Sequence, residues 1–323
     1  MIKNRKIWIS LLKGIIVIVA WIYVGFKLTE FKDSFNSLET ISFSQFQIFE
    51  LFTVCSLMLI NWSIEAKKWQ YSLQSITHVS FYKAVKTVLM GTTIGIISPN
   101  RAGEPWGRVS LLEPRFREAG ISAGILCSIG QFSSTIIAGC FALPFFINQQ
   151  LYFSNSFPAF GIAIVCIIII LLLFFNIKRL SILLRRVPLI KNYDSFINHF
   201  QSISTTNLAI ILFYSTIRYC VFLLQFFLIL KVFSINISFQ HSCIAVGIVY
   251  LITTLIPTTT LAELGIRCSS SVYFIGIYDN RPLLIITASL FVWIINLSFP
   301  VLIGSLFYLP TRKTSKSENV QKK

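Results

Sequence analysis

One stretch constrains this chain more than any other: Pro99-Asn100-Arg101-Ala102-Gly103-Glu104-Pro105-Trp106-Gly107-Arg108. It places two arginines, a carboxylate, two prolines and two glycines directly after the apolar and small residues from Val88 to Ser98, which read as a membrane segment. Hydrocarbon offers no partner to free backbone or charge, so lipid tolerates such a sequence only where protein or water surrounds it. A second stretch, Pro257-Thr258-Thr259-Thr260-Leu261-Ala262-Glu263-Leu264-Gly265-Ile266-Arg267, follows the same plan. In both, a proline ends an apolar helix, a glutamate follows within six residues, and an arginine stands four residues after it. We read them as two copies of one device.

Apolar residues fill 55% of 323 positions and charged ones 12%, and several apolar runs reach the roughly 20 residues that cross a bilayer. The chain reads as an all-α polytopic membrane protein: a single transmembrane domain over 1–310, then a disordered basic cytoplasmic tail over 311–323. A formal charge of +16 would suit nucleic acid only on a soluble domain, and no such segment is left over. The excess is the basic character of cytoplasmic loops, and no nucleic-acid partner is expected. Seven cysteines fall in or beside apolar segments without paired spacing, which indicates neither a disulfide framework nor a zinc site. His78, His199 and His241 are far apart, and no nucleotide-binding glycine loop or G-x-S-x-G turn is present. We therefore expect no cofactor, no metal and no catalytic residue.

Six segments read as crossings: 7–28, 46–65, 121–146, 157–176, 207–232 and 283–309. The first is too long for a signal-peptide core and reads as a retained span. Basic residues gather in the N-terminal tail, around Lys67, Lys68, Lys83 and Lys86, from Lys178 to Lys191 and beyond Arg312. By the positive-inside rule both termini are cytoplasmic. The segment 81–120 then begins and ends on the cytoplasmic side, and 239–280 on the other, so each reads as a re-entrant hairpin. Arms of 15 to 18 residues would reach roughly 22–27 Å, short of a core of about 30 Å. Reading the arms as complete spans keeps the same parity and gives 8–10 membrane segments. With the hairpins placed, halves at about 1–148 and 157–310 form an inverted repeat, an architecture in which transporters build a central site from broken helices.

A charge at the bilayer centre costs about 2.5–3.5 kcal/mol on insertion scales, so those at depth need partners or water. Glu104 with Arg108 and Glu263 with Arg267 have the glutamate-first spacing that favours a helical ion pair. On a structural reading each pair neutralises itself and holds a hairpin tip. Arg218, in the middle of a span, has the structural alternative of pairing with Glu50, Glu65 or a hairpin carboxylate. On a functional reading Arg101, Arg108, Arg218 and Arg267 outnumber Glu104 and Glu263, and the surplus grips an anionic head group through bidentate guanidinium contacts. Helix N-termini after Pro99 and Pro257 would add their dipoles. Pro99, Gly103, Pro257 and Gly265 would shape the hairpins.

Pro99, Arg101, Ala102, Gly103, Glu104 and Arg108 resemble the P-x-R-x-G-E-x-x-x-R element of the lysylphosphatidylglycerol synthase transmembrane family, flippase-like integral membrane proteins. A looser likeness lies at Pro257, Glu263, Gly265 and Arg267, where three threonines stand in place of a glycine-rich turn. The resemblance implies a lipid translocase with two re-entrant helices in the plasma (bacterial inner) membrane. It would move an anionic phospholipid or polyprenyl-linked lipid between leaflets, with membrane lipids as partners and a homo-oligomer or lipid-synthesis enzymes as further ones. The alternatives are a membrane enzyme using Glu104 or Glu263 as base, or a scaffold subunit in glycolipid or cell-envelope lipid assembly. Full synthases carry a soluble aminoacyl-transferase domain, and this chain ends soon after its last span. That activity is expected to be absent.

Overall fold

The computed structural model describes residue 22 and residues 45–98, 101–150, 157–184, 194–256 and 260–309. Apart from Ile22, the crossing expected over 7–28 lies outside them, as do Pro99, Pro257 and the tail over 311–323. All regular structure among the described residues is helical. The elements are α1 (Gln45–Ser72), α2 (Phe81–Gly95), α3 (Glu104–Arg108), α4 (Arg117–Gln150), α5 (Phe157–Phe175), α6 (Ile177–Leu184) and α7 (Asp194–Ser202). They continue as α8 (Thr205–Val232), α9 (Phe239–Leu255), α10 (Thr260–Gly276), α11 (Pro282–Trp293) and α12 (Phe299–Leu306).

Among the described residues, five helical segments are long and apolar enough to cross a bilayer: Gln45–Ser72, Pro114–Gln149, Pro158–Phe175, Thr205–Val232 and Pro282–Leu306. They coincide with the other five expected crossings, with one consequential difference. Helix α1 runs past position 65 to Ser72, so Lys68, expected in a basic loop, is carried into the bundle and fully buried. The apolar Trp62, Ala66 and Trp69 flank it on the buried side of α1, and their burial extends the helix beyond its most hydrophobic part.

Contacts fix the helix directions. Helices α1 and α8 run antiparallel, since Gln47 Nε2 donates to Val232 O at one end and Tyr71 Oη donates to Asn207 Oδ1 at the other. Helix α4 runs parallel to α8, with Gly130 against Ile211 and Gln131 Nε2 donating to Ser215 O. Helix α9 runs back along α4, placing Gly247 against Ala142 and Leu251 against Gly139. One end of the bundle thus holds the C-terminus of α1 and the N-termini of α4 and α8. Lys83, Lys86, Arg115 and Arg117 stand there, and we call it the basic end.

The first hairpin leaves and rejoins the bundle at the basic end. Ser80 Oγ caps α2 by accepting from Lys83 N. After Gly95 the chain turns through Arg101 into the five-residue α3. Turns of 3-10 helix at Val109–Leu111 and Pro114–Phe116 return it to α4. The expected return arm of 15 to 18 residues is therefore a much shorter helix, because Pro105 starts it and Pro114 interrupts the backbone ladder beyond it. Here a glycine is required: a Cβ on Gly107 would stand 2.6 Å from Gly91 Cα, so the two arms touch backbone to backbone. Gly304 of α12 presses on the other side of α2, where a Cβ would fall 2.1 Å from Leu89 O.

The second hairpin is α9 and α10, 17 residues each, or roughly 25 Å per arm. It is anchored at the end opposite the basic one. There Asn236 N donates to Asp279 Oδ2, Arg281 Nη2 donates to Ser234 O, and Tyr278 Oη donates to Gln149 Oε1. The two hairpins thus enter the bundle from opposite ends. Beside them α11 passes through a π-helical turn, Ile294–Ser298, into α12. Pro300, in the first turn of α12, supplies no N–H to a regular ladder, which favours such a turn just before it.

Candidate functional site

The charges at depth fall into two neighbouring clusters, one between α1, α3 and α8 and one where the hairpin tips meet. In the first, Glu65 of α1 is the hub. Its carboxylate lies 2.8 Å from Lys68 Nζ, 2.7 Å from Arg108 Nη2 and 2.9 Å from Arg218 Nη1. Arg218 Nε also donates to Asn61 Oδ1 at 2.6 Å, and Lys68 Nζ donates to Ser215 Oγ at 3.2 Å. Glu104 accepts from Arg108 at 3.1 Å, the helical pair expected from spacing. Trp62 and Phe222 lie against the Arg218 guanidinium, and Trp69 against that of Arg108. Two carboxylates thus meet three cations, all within apolar walls. Breaking such a buried network at one member costs about 3–5 kcal/mol, because it strands the others.

The second cluster joins the hairpins. Glu263 Oε1 accepts from Arg267 Nη2 at 2.7 Å, one turn along α10, and from Arg101 Nη2 at 3.3 Å, across the gap between the tips. Arg101 has φ 56°, left-handed backbone rarely seen outside glycine. Gly103 N donates to Ser98 Oγ just beside it, closing the tip. A cavity of about 210 Å³ lies at this junction, lined by Arg101, Glu263, Arg267, Gln131, Tyr250 and Asn296 among others. Among the described residues, buried polar atoms of its walls without a hydrogen-bond partner include Arg267 Nε, Tyr250 Oη and Asn296 Oδ1. Asn296 sits in the π-helical turn, and its Nδ2 donates to Val292 O. The Tyr250 ring lies under the Arg267 guanidinium, 5.5 Å from it.

The six residues singled out from sequence are therefore divided. Arg101, Glu263 and Arg267 line the cavity; Glu104, Arg108 and Arg218 belong to the buried network, and Arg218 takes its structural partner, Glu65. The pairing of Glu65 with Lys68 was not anticipated. Because these two cancel, the positive surplus over both clusters is the one the arginine count suggested. Gly103 fits its hairpin role, since a Cβ would meet Ile94 and Ser98 at 3.0–3.1 Å. Gly265 does not: it stands on an exposed face of α10 with nothing within 4 Å of a Cβ. Its neighbour Leu264 turns into the core instead, and an open helical face imposes no demand for glycine. Tyr250, Gln131 and Asn296 were missed, being polar groups inside helices that read as uniformly apolar.

Among the described residues no three His, Cys, Asp or Glu side chains gather as a metal site. What the geometry offers is positive charge and hydrogen-bond donors around a small space, in a bundle of membrane-crossing length. Fold and site together define a helical integral membrane protein with a polar centre between two opposed hairpins. The chain belongs to the family described as lysylphosphatidylglycerol synthase TM region, whose model matches residues 7–304. No curated protein and no solved structure matches it. The family ties the protein to membrane lipids.

Proposed function

We propose that the protein moves an anionic lipid between the leaflets of the membrane, holding the phosphate-bearing head group in the cavity between the hairpin tips. The carrying observation is that Arg101 and Arg267 share one carboxylate, Glu263, on the wall of that cavity. Two guanidinium groups around one acid leave positive charge for a phosphate, which guanidinium binds through paired N–H donors. Arg267 Nε and Tyr250 Oη add donors without partners. A volume of about 210 Å³ is below the ~300–1,000 Å³ of pockets that enclose a whole drug-sized ligand. It suits a head group whose chains stay outside.

In this reading the opposed hairpins are the broken helices of an inverted repeat, and the halves expose the centre to each leaflet in turn. The basic end faces the cytoplasm of a bacterial inner membrane, with both termini on that side. Glu263 and Glu104 orient arginines, and no covalent step is assigned to either. The test is leaflet exchange of head-group-labelled phosphatidylglycerol in proteoliposomes, followed by chemical quenching of the outer label. Wild type should exchange the lipid, and Arg101→Ala and Arg267→Ala should slow exchange at least tenfold while reconstituting normally. Wild-type rates in both variants would remove the site from the proposal.

A further inference from the structure

Two side chains of the polar cavity also border apolar pockets. Phe132 is shared with a pocket of about 590 Å³ walled by Ile129, Ile136, Leu173 and Phe196. Tyr219 is shared with another of about 300 Å³, walled by Phe141, Phe145, Leu223 and Cys243. Helix α4 borders all three spaces. With 3.6 residues per turn, Ile125, Ile129, Phe132 and Ile136 form one stripe on it. Gln131, Thr135, Ala138, Ala142 and Phe145 form a second stripe on the neighbouring face.

The two apolar pockets lie toward opposite ends of the bundle. The larger is completed by the C-terminus of α5 and by α6 and α7, all at the basic end. The smaller is completed by Gln240 and Cys243 in the first turns of α9, at the other end. From Ile129 to Phe145 the rise along α4 is roughly 24 Å. The polar cavity meets α4 at Gln131, Phe132 and Thr135, a level that the upper part of the larger pocket also reaches, and the smaller pocket begins beyond it at Ala138.

An acyl chain cannot follow its head group through a space walled by arginines, so it needs an apolar track beside that space at each level. Resting on the proposed function, we infer that these pockets seat the chain of the transported lipid, the larger in one leaflet and the smaller in the other. Phe132 and Tyr219 are the two thresholds between chain and head group. The thresholds differ: Phe132 is 46% exposed and Tyr219 only 6%. The buried one, Tyr219, is also coupled to the polar site. The Tyr219 ring packs edge-on to Tyr250, 6.2 Å between centroids, and the Tyr250 ring lies under Arg267. Swinging Tyr219 aside therefore disturbs the wall that holds the head group.

The test fills each pocket in turn, with Leu173→Trp and Cys243→Trp and their double variant, in the full chain. Leaflet exchange of labelled phosphatidylglycerol is measured in proteoliposomes. Binding of phosphatidylglycerol and of sn-glycerol 3-phosphate, a chain-free probe, is measured in detergent. Each single variant should slow exchange at least tenfold yet bind phosphatidylglycerol within about twofold of wild type, because one seat remains. The double variant should lose at least tenfold in phosphatidylglycerol binding while sn-glycerol 3-phosphate binds normally to all three. Exchange at the wild-type rate in either single variant overturns the inference, leaving pockets that hold ordinary bilayer lipid. Loss of sn-glycerol 3-phosphate binding in a single variant also overturns it, since that side chain then acts on the head-group site. Arg267→Ala separates the two levels: wild-type binding of both probes by that variant removes the head-group site itself. Loss of both probes there, with normal exchange in the tryptophan variants, removes only the chain seats.

Discussion

Arg101 Nη2 stands 3.3 Å from Glu263 Oε1 and connects two hairpin tips that are 162 positions apart in the chain. The pair is only partly screened, with the arginine side chain 31% exposed and the glutamate 16%. It is an ion pair that spans the gap between the tips, and Arg101 holds it from strained backbone.

A charge exchange tests this connection. Arg101→Glu and Glu263→Arg should each destabilise the protein and slow lipid exchange, since each sets like charges against each other. The double exchange should recover part of the loss, with a coupling of about 1–2 kcal/mol in a thermal-unfolding cycle. Strictly additive single effects would mean that the tips are held by other contacts.

Glu65 predicts the largest single loss. Replacing it with Gln removes the negative charge shared by Lys68, Arg108 and Arg218 and turns one acceptor oxygen into an N–H donor facing them, so unfolding in detergent should become easier by about 3–5 kcal/mol. Glu104→Gln leaves Arg108 still paired with Glu65 at 2.7 Å, and its cost should be below ~2 kcal/mol. Equal costs for the two would contradict the hub.

Two glycine substitutions separate packing from flexibility. Gly304→Ala should destabilise by at least ~1–3 kcal/mol, because the new methyl meets Leu89 O, a backbone atom held within α2. Gly265→Ala, on an open helical face, should be neutral or stabilising by ~0.5–1 kcal/mol through helix propensity. Thermal midpoints of the purified variants decide both.

His199 makes the stability pH-dependent. It lies in α7, outside the crossing segments, and burial pushes its imidazole down to about 4. The unfolded chain takes up the proton near pH ~6.5, so the neutral form's contribution is intact above that value and is lost as pH falls toward 4. The decline should amount to ~2–3 kcal/mol, and His199→Leu should flatten it. Stability curves of wild type and variant that run parallel from pH 7.5 to 4.5 would refute the assignment.

How much of this was legible in the sequence depended on the kind of signal. Segments such as 157–176 and 207–232 declare themselves by apolar length, and the arginine and glutamate spacing located both hairpin tips. Arg218 was recognisable as buried, with Glu65 among its candidate partners, but choosing among Glu50, Glu65 and the hairpin acids needed the register of α1 on α8. Lys68 misled because it follows Lys67 near the end of an apolar run. A lysine there resembles a loop residue unless the helix is known to continue to Ser72. The short return arm of the first hairpin was hidden because Pro105 and Pro114 mark breaks without saying how long the pieces between them are. Asn296 reaches the cavity from a π-helical turn, and no residue pattern in Ile294–Ser298 announces that turn.

The backbone contacts of Gly91 with Gly107 and of Gly304 with Leu89 leave the first hairpin no slack: it is gripped on two sides by rigid peptide groups. The second hairpin is held unevenly: α9 packs closely on α4 at Gly139 and Gly247, Gly265 and Gly276 of α10 face open space, and the far end is tied by Asn236 N to Asp279 and by Arg281 to Ser234 O. Adding a methyl group is therefore costly along the first hairpin and where α4 meets α9, and free along α10.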